Sequence, residues 1–140
     1  MKLSRRYMLM LSSASVAAMA MSTIPAFASL TEEEIAKLTG GADLIEGDIK
    51  LTAPEIAENG NTVPIEVSAP GAVAISLFAD GNPVPNVATF AFGPLSASRA
   101  ASTRIRLAGT QNVIAIAKME DGSFQKASAN VKVTIGGCGG

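Results

Sequence analysis

The chain contains no histidine and no tryptophan, and only one cysteine among its 140 residues. Without histidine it lacks the usual general base, the usual haem ligand and the commonest zinc ligand. A Cys–His nucleophile pair within the chain is excluded for the same reason. A single cysteine closes no disulfide in its own chain and supplies no Cys-x-x-Cys pair, which argues against a small thiol oxidoreductase. The Cys–Trp–Cys core of antibody domains is missing as well. The glycine pairs Gly40-Gly41 and Gly136-Gly137 fit no phosphate-loop or dinucleotide pattern. Aromatic residues make up only 4% of the chain, so any core must come from Val, Ile, Leu and Ala.

What is present begins with an export signal. Residues 1–28 have a basic start (Lys2, Arg5, Arg6), an apolar stretch from Met8 to about Met21, and a small-residue cleavage site, Ala26-Phe27-Ala28. The apolar stretch is too short and too rich in Ala and Ser for a spanning helix. Ser4-Arg5-Arg6-Tyr7-Met8-Leu9 looks like a twin-arginine signal, which exports folded proteins, although Met8 stands where an aromatic residue is common. A plain secretory signal is the alternative. Either predicts cleavage after Ala28 and a periplasmic protein. The leader holds three of the eleven basic residues and none of the twelve acids, so the mature chain is mildly acidic, with eight bases against twelve acids. No basic patch suggests nucleic acid, and no mature apolar run suggests a membrane span.

The remaining residues suit one domain. A short helix is expected to open at Leu30-Thr31-Glu32-Glu33-Glu34-Ile35. Thr31 and Glu34 have capping-box spacing, and Leu30 and Ile35 are placed as a hydrophobic staple. The three glutamates suit the positive end of the helix dipole, which accounts for them without a metal site. Gly40-Gly41 stops the helix. Beyond Asp48 the pattern changes to strands, expected at residues 49–53, 62–69, 73–79, 87–92, 102–108, 113–119 and 125–135. Turn signals separate them, including Asp80-Gly81-Asn82-Pro83 and Asp121-Gly122, the second a strong hairpin signal. Seven short strands at this spacing predict an all-β, immunoglobulin-like antiparallel β-sandwich over residues 29–135, with a short N-terminal helix. Its open edge strands need a cover, and a permanent partner subunit would serve.

The chain finishes Gly136-Gly137-Cys138-Gly139-Gly140. Glycine gives the backbone its widest freedom and no bulk, so residues 136–140 read as a flexible arm that carries a thiol beyond the last strand. Five extended residues reach about 17 Å, with Cys138 about 10 Å out. An exported protein usually pairs its cysteines, and one left over points to a reactive or intermolecular thiol. An ordinary thiol of pKa near 8.5 is only about 3% thiolate at pH 7, so activation is expected from whatever pocket the tip enters. Mixed disulfides and persulfides are within its reach.

These features together resemble the SoxY family, the sulfur-carrier subunits of the bacterial thiosulfate-oxidising Sox system. The resemblance rests on Ser4-Arg5-Arg6, the single β-rich domain, and the ending Val133-Thr134-Ile135-Gly136-Gly137-Cys138-Gly139-Gly140. It implies that Cys138 is the covalent attachment site, with Gly136, Gly137, Gly139 and Gly140 as the arm that admits it to enzyme channels. It implies no catalytic residue, metal or cofactor in this chain. By the same resemblance a c-type cytochrome would load thiosulfate onto Cys138 as an S-thiosulfonate. A manganese hydrolase would release sulfate, and in some organisms a sulfane dehydrogenase would oxidise the remaining sulfur. The expected companion subunit is a SoxZ-like β-sandwich protein forming a heterodimer. The main rival is a non-catalytic periplasmic binding module whose cysteine merely links two copies.

Overall fold

A computed structural model describes residues 26–136. Residues 1–25, most of the expected leader, and the four residues from Gly137 to Gly140, Cys138 among them, lie outside the described residues. Among the described residues, one helix, α1 (Ala26–Thr39), precedes nine strands. These are β1 (Leu44–Ile45), β2 (Lys50–Thr52), β3 (Ile56–Ala57), β4 (Val63–Ser68), β5 (Ala72–Ala79), β6 (Asn86–Ala91), β7 (Ala100–Ile105), β8 (Gln111–Met119) and β9 (Phe124–Val133).

All seven expected strands form, and they form the expected sandwich. The larger sheet runs β1-β9-β8-β5-β6, with β3 also on β9; the smaller runs β2-β4-β7. Alternation explains the smaller sheet. In β4, Val63, Ile65 and Val67 are buried while Pro64 and Glu66 face solvent. The inner faces meet in one aliphatic core that includes Ile65, Val67, Ile75, Leu77, Leu107, Val113 and Val131, with Phe90 and Phe92 packed against it. The Asp121-Gly122 hairpin is present. Gly122 takes a φ of 86°, which a side chain would resist, and Met119 N–H donates to the Ser123 carbonyl at 2.8 Å.

Three features depart from the sequence reading. The sandwich is not wholly antiparallel, because β1 and β3 each pair parallel with β9. Two-residue strands have no periodicity to read, and their pairing is fixed by partners about 80 residues away in sequence. The last strand ends at Val133, two residues earlier than expected. The helix starts at Ala26, so Thr31 and Glu34 lie inside it and form no capping box at its N-terminus. Thr31, Ile35 and Thr39 fall four apart and are all buried, so they line one helical face. Ile35 packs with Phe78, Ile114, Ile116 and Phe124, which cover the outer face of the larger sheet. Burial of a side chain the size of Phe78 or Ile116 is worth about 1.5–3 kcal/mol. That contact, rather than a capping box at Thr31, holds the helix. Gly40 and Gly41, both at positive φ, end it as expected.

Candidate functional site

Of the residues singled out in the tail, Gly136 is described, while Gly137, Cys138, Gly139 and Gly140 lie outside the described residues. Ala28, the expected cleavage residue, sits in the first turn of α1. The describable part of the site is therefore the root from which the tail leaves.

That root is held on several sides. Beyond the β9 ladder, Thr134 donates its N–H to the Ala57 carbonyl at 3.1 Å and its hydroxyl to the Glu58 carbonyl at 3.0 Å. Val133 N–H donates to the Thr110 hydroxyl at 3.0 Å. Gly60 N–H donates to the Ile135 carbonyl at 2.8 Å, and the Gly60 carbonyl accepts from Leu107 N–H at 2.7 Å. The chain between β3 and β4 thus bridges the root to the segment after β7. Fixed by backbone bonds on this scale, Ile135 is a firm base from which a short segment can project.

Gly136 is more than a spacer. A Cβ at this position would run into the Ala108 carbonyl oxygen, so the chain passes close over that peptide and only glycine fits without a shift. Ala108 is itself fixed from below by a buried amide. Asn82 is fully buried; its Oδ1 accepts from Ala108 N–H at 2.9 Å and its Nδ2 donates to the Arg106 carbonyl at 2.8 Å. Gln111 Nε2 donates to the same Oδ1 at 3.0 Å and to the Gly109 carbonyl at 2.9 Å. Gln111 Oε1 accepts from Gly81 N–H at 2.8 Å. Two neutral amides therefore satisfy one another and pin the β7–β8 connection on which Gly136 rests.

Sequence reasoning placed Asn82 in a turn and gave no weight to Gln111 or Ala108. Asn82 does lie in the β5–β6 turn, where its N–H donates to the Ala79 carbonyl at 3.3 Å. Its burial depends on a loop 24 to 29 residues further on. No local pattern announces that. Among the described residues, no three of His, Cys, Asp and Glu gather as they would to hold a metal ion.

A search of curated protein sequences finds no match. Comparison with solved structures places the chain over the sulfur carrier protein SoxY from Chlorobium limicola f thiosulfatophilum, with a TM-score of 0.67 and 39% identity, covering 77% of this chain and 99% of that one. A superoxide reductase (neelaredoxin) from Ignicoccus hospitalis aligns with a TM-score of 0.54 at 21% identity, over 62% of this chain and 80% of that one, which is likeness of fold alone. The family model described as sulfur oxidation protein SoxY matches residues 35–138, a span that reaches from the buried Ile35 to Cys138. On that match, and on the 39% identity over nearly the whole solved carrier, the chain belongs to the SoxY family of sulfur oxidation proteins.

Proposed function

We propose that this protein is an exported, periplasmic carrier of sulfur cargo in thiosulfate oxidation, with Cys138 as the attachment atom. The observation that supports this most is the pairing of a lone cysteine between glycines with a rigidly bonded root at Thr134 and Ile135. A fixed base and a slim tail suit delivery of one sulfur atom into enclosed sites on other proteins. The SoxY family match extends to Cys138. Chemistry falls to partner enzymes, since the chain has no histidine to serve as a base and a free thiol is weakly ionised at neutral pH.

The cycle is the one that membership of the SoxY family implies. A c-type cytochrome takes up two electrons as the Cys138 thiolate and thiosulfate join through a new S–S bond. A manganese hydrolase adds water across the terminal S–S bond, releasing sulfate and leaving a persulfide. Where a sulfane dehydrogenase is present, it takes six electrons from the outer sulfur while three waters supply the sulfonate oxygens, and a second hydrolysis releases sulfate and regenerates the thiol. A SoxZ-like β-sandwich subunit accompanies the carrier and covers part of its open edges.

Intact mass measurement of the purified protein without reductant tests the proposal. Masses raised by sulfur or thiosulfate, and abolished in Cys138→Ser, are expected. A fixed disulfide dimer instead would favour the linking-module reading. Cys138→Ser should fold, keep its companion subunit, and support no thiosulfate oxidation in a reconstituted system. Residual turnover there would refute the carrier role.

A further inference from the structure

Beside the arm root, the edges of the two sheets part and leave a cleft of about 300 Å³ between β6 and the end of β7. Its walls include Asn82, Asn86, Thr103, Arg104 and Arg106. Arg104 and Arg106 alternate with the buried Ile105 and Leu107, so both project outward on the same side of the segment. Two ion pairs are present among the described residues, Lys37 with Glu34 and Arg99 with Glu120, and neither uses these arginines. Arg104 has only a 3.5 Å contact with the Thr62 hydroxyl. The mature chain has more acids than bases, yet two guanidinium groups without carboxylate partners share one cleft.

This cleft adjoins the tail. Asn82 lines it, bonds both Arg106 and Ala108, and the Ala108 carbonyl lies against Gly136. The route from the Asn82 wall across one residue to Gly136 is on the order of 10 Å. Two residues from Gly136 to Cys138 span up to about 7 Å, and the side chain with a two-sulfur adduct adds about 5 Å more. The tether is long enough to fold back and short enough to keep its tip nearby.

We infer that the cleft formed by Arg104 and Arg106 receives the anionic end of the cargo on Cys138, parking the loaded tail against the body. The inference rests on the carrier reading and goes one step further: the protein itself recognises the state of its cargo. Three sulfonate oxygens match the forked donors of a guanidinium, which bind such anions through paired hydrogen bonds. A neutral thiol offers nothing comparable, so loading adds an attraction that the empty tail lacks. Because the arginines are solvent-exposed, the hold is weak. It shields the adduct between encounters and still releases it to an enzyme pocket with stronger donors.

The test uses the processed chain, with any companion subunit that co-purifies, labelled with ¹⁵N. The Cys138 thiolate attacks a central sulfur of tetrathionate. A cysteine–sulfur bond forms, the central S–S bond breaks, and thiosulfate leaves, giving the S-thiosulfonate. A second sample is capped with iodoacetamide, which adds a neutral group. Only the anionic adduct should shift the Arg104 and Arg106 Nε–H signals, and 0.5 M salt should reverse the shift. Release of the adduct by dithiothreitol should run roughly two- to fivefold faster in the Arg104→Gln/Arg106→Gln variant. Complete loading by mass, with arginine signals identical in both samples and an unchanged release rate, overturns the docking and leaves the carrier reading standing. A Cys138 that neither reagent modifies overturns the carrier reading, and the docking with it.

Discussion

Asn82→Ala should be among the most damaging single changes outside the apolar core. The side chain is fully buried and makes three hydrogen bonds of 2.8 to 3.0 Å, to Arg106, Ala108 and Gln111. Its removal leaves the Arg106 carbonyl and the Ala108 N–H without these partners. Gln111 Nε2 keeps the Gly109 carbonyl. Each buried group left unsatisfied costs about 1–3 kcal/mol, so two give a gross loss of about 2–6 kcal/mol. Asn82 also lines an open cleft, and water entering from that side would recover part of the loss. A net destabilisation of about 2–4 kcal/mol is expected. Against a total stability of about 5–15 kcal/mol that is a large fraction. Urea denaturation followed by circular dichroism should show a lower midpoint with an unchanged slope. Amide exchange at Ala108 should accelerate by more than at Val113 in the neighbouring strand. A loss below about 1 kcal/mol, with Ala108 as protected as before, would show that the two amides do not pin the loop.

Gly136→Val should leave the melting temperature within a few degrees of the parent while displacing the tail from the Ala108 carbonyl. Unchanged signals at Ala108 and Gly109 would count against the close approach. Gly137→Val or Gly139→Val should preserve the fold but slow enzymatic loading of Cys138, and normal loading would remove steric access as the reason for those glycines. At the β8–β9 hairpin, the Ser123 hydroxyl and N–H donate to the Asp121 carboxylate at 2.6 and 2.9 Å and hold it below its ordinary value of 3.8. A depressed carboxyl pKa stabilises the fold fully above 3.8, and that stabilisation is lost as pH falls through the lower folded value. An NMR titration should therefore find Asp121 protonating below 3.8, and a midpoint at or above that value would refute the turn geometry.

The candidate site divides at Gly136. The proposed tail chemistry rests on residue types alone, because Gly137 to Gly140 lie outside the described residues. The seat beneath it could not be read from them. Nothing adjacent to Asn82 or Gln111 in sequence marks them as buried partners, and Gly136 is indistinguishable from its glycine neighbours until the Ala108 carbonyl is placed under it. In sequence Arg104 and Arg106 are only charged neighbours of Ile105 and Leu107. Their shared cleft depends on how far β6 lies from β7.

The sequence by itself determined the strands, the sandwich and the helix stop. Alternation such as Val63, Ile65 and Val67, and breaks such as Asp121-Gly122, act over a few residues and need no distant partner. Tertiary structure decided the parallel strands β1 and β3, whose partners on β9 lie some 80 residues ahead. It also decided the start of α1. Capping residues at Thr31 offered a local beginning, but burial of Thr31, Ile35 and Thr39 against a sheet assembled much later made those positions helix interior. Local signals fix which segments can form. Long-range burial and hydrogen bonding choose where they end and what they hold in place.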